Sequence, residues 1–238
     1  MTELYRNTGL DIYEKVHYGQ GEHIHEVEQI VSWYPLRSSR VLDLGCSGGL
    51  HALEFARRGH RVTGIDVEPS AIELARKRND EQHLDVRFNV VDLEETSLAR
   101  FGTFDLVYSI GNVLSHITRE RIHEVMHNIR ECCAPGGFFL FDILVIGAEF
   151  PEEVHEDERG IIWKRRLDTG TGMIALQGIF TEYAVTQEFR VWGYTVDDVL
   201  KILDGAGFTG IEYADSLDFP HGVTLPPNPV CLRFRARG

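Results

Sequence analysis

Apolar positions along the chain fall into two textures. Leu4, Ile12, Val16, Ile24, Val27, Ile30 and Val31 recur at helical spacing on either side of Gly19 and Gly21, predicting two helices. From residue 40 onward, short apolar runs alternate with amphipathic stretches. Strands are predicted at 40–44, 61–65, 86–91, 104–110 and 137–145. Helices are predicted at 51–58, from Pro69 to about 79, and at 118–132. Pro69 sits in a first helical turn, where its missing N–H costs nothing.

Strand–helix alternation with short connections predicts βαβ units and a parallel sheet covered on both faces. The rhythm breaks after residue 150. Residues 151–159 are acidic and read as a solvated loop. Residues 161–167, 173–181 and 184–191 read as antiparallel strands, the first two joined by a Gly-rich turn at 168–172. A helix is expected at 195–205 and strands at 210–214 and 230–237. The expected architecture is α/β: a Rossmann-like sheet of about seven strands, mostly parallel with an antiparallel last strand, and helices on both faces. Residues 1–36 form a helical lid, 37–150 a cofactor-binding core, 151–192 an antiparallel insertion and 193–238 the end of the core, all in one domain.

Composition narrows the partners. The chain has 238 residues, 43% of them hydrophobic, and a net charge of −13. That charge repels phosphate backbones, so nucleic acid is not expected, whereas a cationic ligand is not opposed. Cys46, Cys132, Cys133 and Cys231 make no disulfide framework. No apolar run reaches the roughly 18 residues of a membrane span, and the start of the chain does not read as a signal peptide. The expected setting is cytoplasmic, without membrane or nucleic-acid partners, with a homodimer as an option.

The chemistry gathers at strand ends. Val41-Leu42-Asp43-Leu44-Gly45-Cys46-Ser47-Gly48-Gly49 is a buried strand running into a turn of small residues and then a helix. Val62-Thr63-Gly64-Ile65-Asp66 places a carboxylate about 20 residues later, where it suits ribose hydroxyls. Asn89-Val90-Val91-Asp92 adds an acceptor for an adenine amino group. Together these outline a nucleoside site.

The runs VLDLGCSGG, VTGIDVEPSAIELAR, FNVVDLEE, FDLVYSIGNVLSHI and APGGFFLFDIL, and later YTVDDVLKILDGAGF, resemble the ordered motifs of class I S-adenosylmethionine (SAM)-dependent methyltransferases. The resemblance implies SAM as cofactor and S-adenosylhomocysteine as product. It implies that Gly45 faces the methionine part, Asp66 holds ribose and Asp92 holds adenine. The cofactor-binding set it implies is Asp43, Gly45, Ser47, Gly49, Asp66, Val67, Asp92, Leu93, Ser109 and Ile110. Ser47 departs from the pattern by replacing a glycine, so its backbone is expected to be strained.

IYEKVHYGQGE is similar to the start of aminosugar N,N-dimethyltransferases, and SIGNVLSHI resembles glycine N-methyltransferases. These likenesses implicate Tyr13 and Asn112 beside the acceptor; His116, shortly after the fourth strand, is a candidate proton acceptor by its position. The expected reaction is methyl transfer to a small molecule, foremost an amine. Transfer to a carboxylate or hydroxyl is the alternative, as is a non-catalytic SAM-binding module. Arg165, Arg166 and Arg190 are candidates to clamp an anionic part of the acceptor. Three other motifs lack context. Gly45–Gly49 matches G-x-S-x-G, but no earlier strand supplies an oxyanion loop. His123-Glu124-Val125-Met126-His127 matches H-E-x-x-H, but Arg130 and Cys133 stand where a metal-binding extension needs Gly and His. Ser47 and Leu50 replace the second and third glycines of a dinucleotide fingerprint. No metal is expected.

Overall fold

The structure is a computed structural model that describes residues 7–33, 38–147, 150, 152–156, 160–214 and 231–238. Two helices, α1 (Asn7–Tyr18) and α2 (Glu22–Trp33), precede the sheet. The core then runs β1 (Arg40–Leu44), α3 (Leu50–Arg57), β2 (Arg61–Asp66), α4 (Pro69–Glu81), β3 (Arg87–Val90), β4 (Phe104–Ser109), α5 (Ile122–Cys132) and β5 (Cys133–Leu144). After the insertion it closes with α6 (Val196–Gly205), β10 (Thr209–Ala214) and β11 (Cys231–Arg237).

The seven strands lie in the order β10-β11-β5-β4-β1-β2-β3. β1, β2, β3, β4 and β5 pair parallel, while β11 runs antiparallel to both β5 and β10. The expected mostly parallel sheet with an antiparallel last strand is therefore present. Strand order reverses between β1 and β4, so a ligand crevice is expected outside their carboxyl ends.

Alternation along the strands feeds two core layers. Leu42, Leu44, Val107, Phe139 and Phe141 pack on the α5–α6 side; Val41, Leu106, Tyr108 and Leu140 pack on the α2–α3–α4 side. Phe139 stacks on Phe141, and Phe141 on Phe234, at ring-centroid distances of 4.6 and 5.4 Å, which ties β11 into the sheet. Helix α4 begins as its sequence dictates, with Glu68 as N-cap and Pro69 in the first turn. Helix α6 carries a capping box between Thr195 and Asp198.

The insertion forms a second, wholly antiparallel sheet in the order β6-β7-β8-β9. Its strands β7 (Ile161–Asp168), β8 (Met173–Phe180) and β9 (Val185–Trp192) match expectation. β6 (Glu153–Glu156) corrects it, because that stretch was read as a solvated loop. Charge suits an edge strand as well as a loop, and here Glu153 sits opposite Lys164 in the ladder. A second difference lies between β4 and α5. The predicted helix starts only at Ile122, and a short 3-10 turn, Val113–His116, precedes it. The Pro-rich stretch 219–229, which the sequence places between the last two strands as a candidate border of the site, lies outside the described residues.

Candidate active site

Two cavities with common walls open at the carboxyl ends of β1, β2, β3 and β4. The first has a volume of about 610 Å³ and is lined by the β1 turn, Asp66, Val67, Asp92, Leu93, Ile110 and His116, among others. The second, about 400 Å³, lies between α1, α2, β5 and the second sheet. Tyr13, Tyr18, Ile110, Gly111, His116 and Phe189 line both.

The β1 turn is built from strained and stripped backbone. Gly45, Ser47 and Gly49 have φ of 75°, 48° and 82°. A Cβ on Gly45 would stand 2.5 Å from Val113 Cγ2, so glycine is needed there for space as well as for φ. The expected strain at Ser47 is present. It is held by a hydrogen bond from Ser47 N to Asp66 Oδ2 at 2.8 Å, while Asp66 Oδ1 accepts Glu68 N at 2.9 Å. Asp66 also lines the first cavity, where a carboxylate suits a pair of vicinal hydroxyls. Burial pushes the Asp66 carboxyl up, and the backbone amides of Glu68, Ser47 and Val67 oppose the rise.

Asp43 is buried beneath the turn, and burial raises it to about 7, against a pull downward from the Tyr108 hydroxyl. Asp92 lines the first cavity and accepts Glu94 N on Oδ1 at 2.9 Å, which fixes its carboxylate by a local turn. Asp43, Asp66, Asp92 and Glu94 line this cavity with the guanidinium of Arg190, and Glu14, also on its wall, is paired with Arg78. That donor set fits a cationic nucleoside such as SAM.

Two expected cofactor residues take other places. Ser109 is fully buried, and its hydroxyl donates to Leu44 O at 3.2 Å, joining two strand ends rather than lining the cavity. Gly49 is the N-cap of α3 and packs against Phe88 and Ala75 beside the turn.

Of the acceptor-side candidates, Tyr13 and His116 stand on the walls common to both cavities. A Cβ on Gly111 would lie 3.6 Å from the Tyr13 hydroxyl, so the phenol approaches the end of β4. The His116 side chain lines both cavities and is exposed, and the desolvation it still feels lowers its imidazole from the usual histidine range. Its turn is pinned to β5 by Leu144 N donating to Ser115 Oγ at 3.0 Å. Asn112 lines the second cavity only, with φ of 60°.

Several residues on these walls went unnoticed in the sequence. Asp142 accepts Gly111 N at 3.0 Å and Asn112 N at 2.6 Å. Its signal was present: a lone carboxylate inside the apolar run Phe139–Leu144 is rarely tolerated without a partner. His51, which lines the first cavity, pairs with Glu26 at 2.7 Å across α3 and α2. Trp163, Leu176, Phe189 and Val191 give the second cavity an apolar wall, with Arg165 between them. Of the three arginines proposed as clamps, Arg165 lines the second cavity, Arg190 the first, and Arg166 neither. His123 and His127 are exposed on α5, with His127 paired to Glu131 at 3.7 Å, away from the strand ends.

A Rossmann-like sheet with an acidic cavity at its switch point defines a nucleoside-binding α/β class. Comparisons make the class specific. Residues 41–137 match the family model described as a methyltransferase domain. The chain is 32% identical over 125 residues to a ubiquinone biosynthesis O-methyltransferase of Alkalilimnicola ehrlichii, a match covering 48% of this chain and 49% of that protein. The same-named protein of Nitrosococcus oceani is 28% identical over 163 residues, covering 60% and 68%. The chain thus spans about half the length of the first of these relatives. Among solved structures, the CcbJ methyltransferase of Streptomyces caelestis aligns with TM-score 0.74 at 15% identity, covering 91% of this chain and 95% of that one. SAM-bound CalS10, an amino pentose methyltransferase of Micromonospora echinaspora, aligns with TM-score 0.69 at 20% identity, covering 95% and 97%. At such identities these structures establish the shared fold. Residues 41–137 thus match a methyltransferase domain, within a chain that has the fold of solved SAM-dependent methyltransferases.

Proposed function

We propose that this protein transfers the methyl group of SAM to a hydroxyl oxygen of a small, flat acceptor. Gly45 and the turn amides hold the methionine end of the cofactor, Asp66 the ribose, and Asp92 with Val67, Leu93 and Ile110 the adenine. When bound, SAM supplies a methyl group already activated on a positive sulfur. The protein therefore has to align an acceptor lone pair, exclude water and accept a proton.

The observation that carries the reading is the position of His116. Among the described residues it is the only imidazole lining both cavities, and partial desolvation lowers it from the ordinary histidine value, which favours its neutral form. A neutral imidazole at that boundary can take the proton of an attacking hydroxyl. Tyr13 can orient the same oxygen by hydrogen bonding. Trp163 and Phe189 form an apolar wall with ring centroids 6.1 Å apart, which favours a planar acceptor. The names of the curated relatives point the same way, toward oxygen rather than the amine that the motif resemblances put first.

An amine acceptor is the second reading. Glu22 and Glu26 line the second cavity and can hold a cationic substrate. Incubating the protein and isotope-labelled SAM with phenols, catechols, aromatic acids and aminosugars separates the readings by the product that gains a methyl. Label on phenolic oxygen supports the first reading; label on amines alone transfers support to the second. SAM binding without turnover on any of them favours a non-catalytic module.

A further inference from the structure

Arg78 makes three bonds that join separate parts of the fold. Its Nη1 donates to Glu14 Oε1 at 2.9 Å and to Gly48 O at 2.9 Å, and its Nη2 donates to Glu14 Oε2 at 2.7 Å. The fork onto Glu14 is bidentate, an arrangement lysine cannot reproduce. Both side chains are largely shielded, at 22% and 10% exposure, so water screens them less than a surface pair. Helix α1, helix α4 and the β1 turn meet at this one guanidinium.

Gly48 is shaped to the pair. Its φ is not positive, unlike those of Gly45 and Gly49, so backbone freedom does not explain the glycine. Space does: a Cβ there would overlap Glu14 Oε1 and stand 2.6 Å from Arg78 Nη1. Elsewhere α1 leans on the second sheet, with Ile12, Tyr13 and Val16 packed around Ile161 and Phe180. Tyr13 directly precedes Glu14 and lines both cavities. The ion pair therefore sets where Tyr13 stands relative to the β1 turn.

We propose that Arg78 is a positioning residue: with Glu14 it latches α1 onto the β1 turn, which fixes Tyr13 at the boundary between the cavities and retards cofactor release. The retention half rests on reading the first cavity as the SAM site. The mechanical half does not, and ligand-free protein tests it.

In ligand-free protein, amide hydrogen exchange of α1 is expected to rise on the order of tenfold in both Arg78→Met and Glu14→Gln, with β1 and α5 unchanged. Arg78→Lys keeps the charge without the fork and is expected to behave like Arg78→Met rather than wild type. The double variant should be no looser than either single one, because both break the same latch. S-adenosylhomocysteine dissociation, followed by stopped flow, should accelerate by a similar factor in all of them. Wild-type exchange in α1 for the single variants, or additive effects in the double, overturns the latch. Wild-type dissociation rates alongside loosened α1 overturn the retention half. If Arg78→Met melts early, the near-isosteric Glu14→Gln decides by the same readouts. Absence of S-adenosylhomocysteine binding by wild-type protein overturns the cofactor reading and with it the retention half, but leaves the exchange result standing.

Discussion

Asp142, near the carboxyl end of β5, receives the backbone N–H of Asn112 at 2.6 Å, and that bond holds the turn after β4 against the sheet. The same carboxylate takes Gly111 N, so both residues entering the 3-10 turn of His116 are fixed by one buried side chain. Burial raises the Asp142 carboxyl, while the two amides and the Arg233 charge oppose the rise. The protein keeps an expensive buried acid here because neutral replacements cannot accept two amides as strongly.

Asp142→Asn preserves shape but presents an NH₂ group to one of the two amides. The lost charge-assisted bond is worth about 1.5–3 kcal/mol. Methyl transfer is expected to fall about 10- to 100-fold, while the affinity for S-adenosylhomocysteine stays near wild type. Steady-state kinetics beside calorimetry check this. A loss of cofactor affinity equal to the loss of turnover would place the damage in the first cavity instead.

The parts of the site that the sequence made legible are those carried by short continuous segments. The β1 turn, Asp66 and Asp92 each end a strand, and strand ends follow from apolar run length and glycine placement. Tyr13 is singled out by resemblance and His116 by its place after the fourth strand, and the fold brings both to the same walls. Contacts between distant segments stayed hidden. Glu14 and Arg78 are 64 residues apart, and nothing in a helix face names its partner across the fold. Ser109 ends a strand as Asp66 does, and the direction of its hydroxyl, inward to Leu44 O, is not written in the sequence. At Asn112 the sequence points to the side chain, which reaches the second cavity, while the bond its backbone N–H makes to Asp142 is announced by no motif.

Ser47 occupies a left-handed conformation that costs a non-glycine residue about 1–2 kcal/mol. Ser47→Gly removes that strain but adds chain freedom to the unfolded state, which offsets about 0.5–1 kcal/mol. The net expectation is a gain of up to about 1 kcal/mol in stability. Ser47→Ala keeps the strain and should match wild type. Urea denaturation of the three proteins tests this. A destabilised glycine variant would show that the Ser47 hydroxyl contributes more than its backbone costs.

His116 sets the low-pH limb of the proposed reaction. Its imidazole is held below the ordinary value of 6.5, so it sheds its proton early and is neutral at pH 7. With a hydroxyl acceptor, kcat/KM should rise as His116 deprotonates, with a midpoint below 6.5, and level off above. His116→Gln should lower kcat by about 10²–10⁴ and erase that limb. A pH profile that keeps its low-pH limb in the glutamine variant would assign the proton to another group, with His17 and His51 the nearest alternatives on these walls.

Asp43 makes cofactor affinity and protein stability respond to pH in opposite directions. In the fold its carboxyl sits at about 7, raised by burial, while in the unfolded chain it returns to the ordinary 3.8. Between those values the folded state holds a proton that the unfolded state has lost, so stability falls as pH rises toward 7 and then levels. Asp66 and Asp142, also raised by burial, add to the same slope. SAM carries a net positive charge, so its binding favours the ionised Asp43. Affinity should therefore rise with pH by at most about tenfold per unit below the folded pKa and flatten above it. The ligand-free melting temperature should fall over the range in which SAM protection grows. Asp43→Asn is expected to bind SAM weakly at every pH and to lose its share of both slopes. Calorimetry and thermal melts from about pH 5 to 8 give both curves on one sample series. A SAM affinity that stays flat below pH 7 in wild type would mean that Asp43 remains protonated with cofactor bound, and would reassign it from charge pairing to holding the β1 turn.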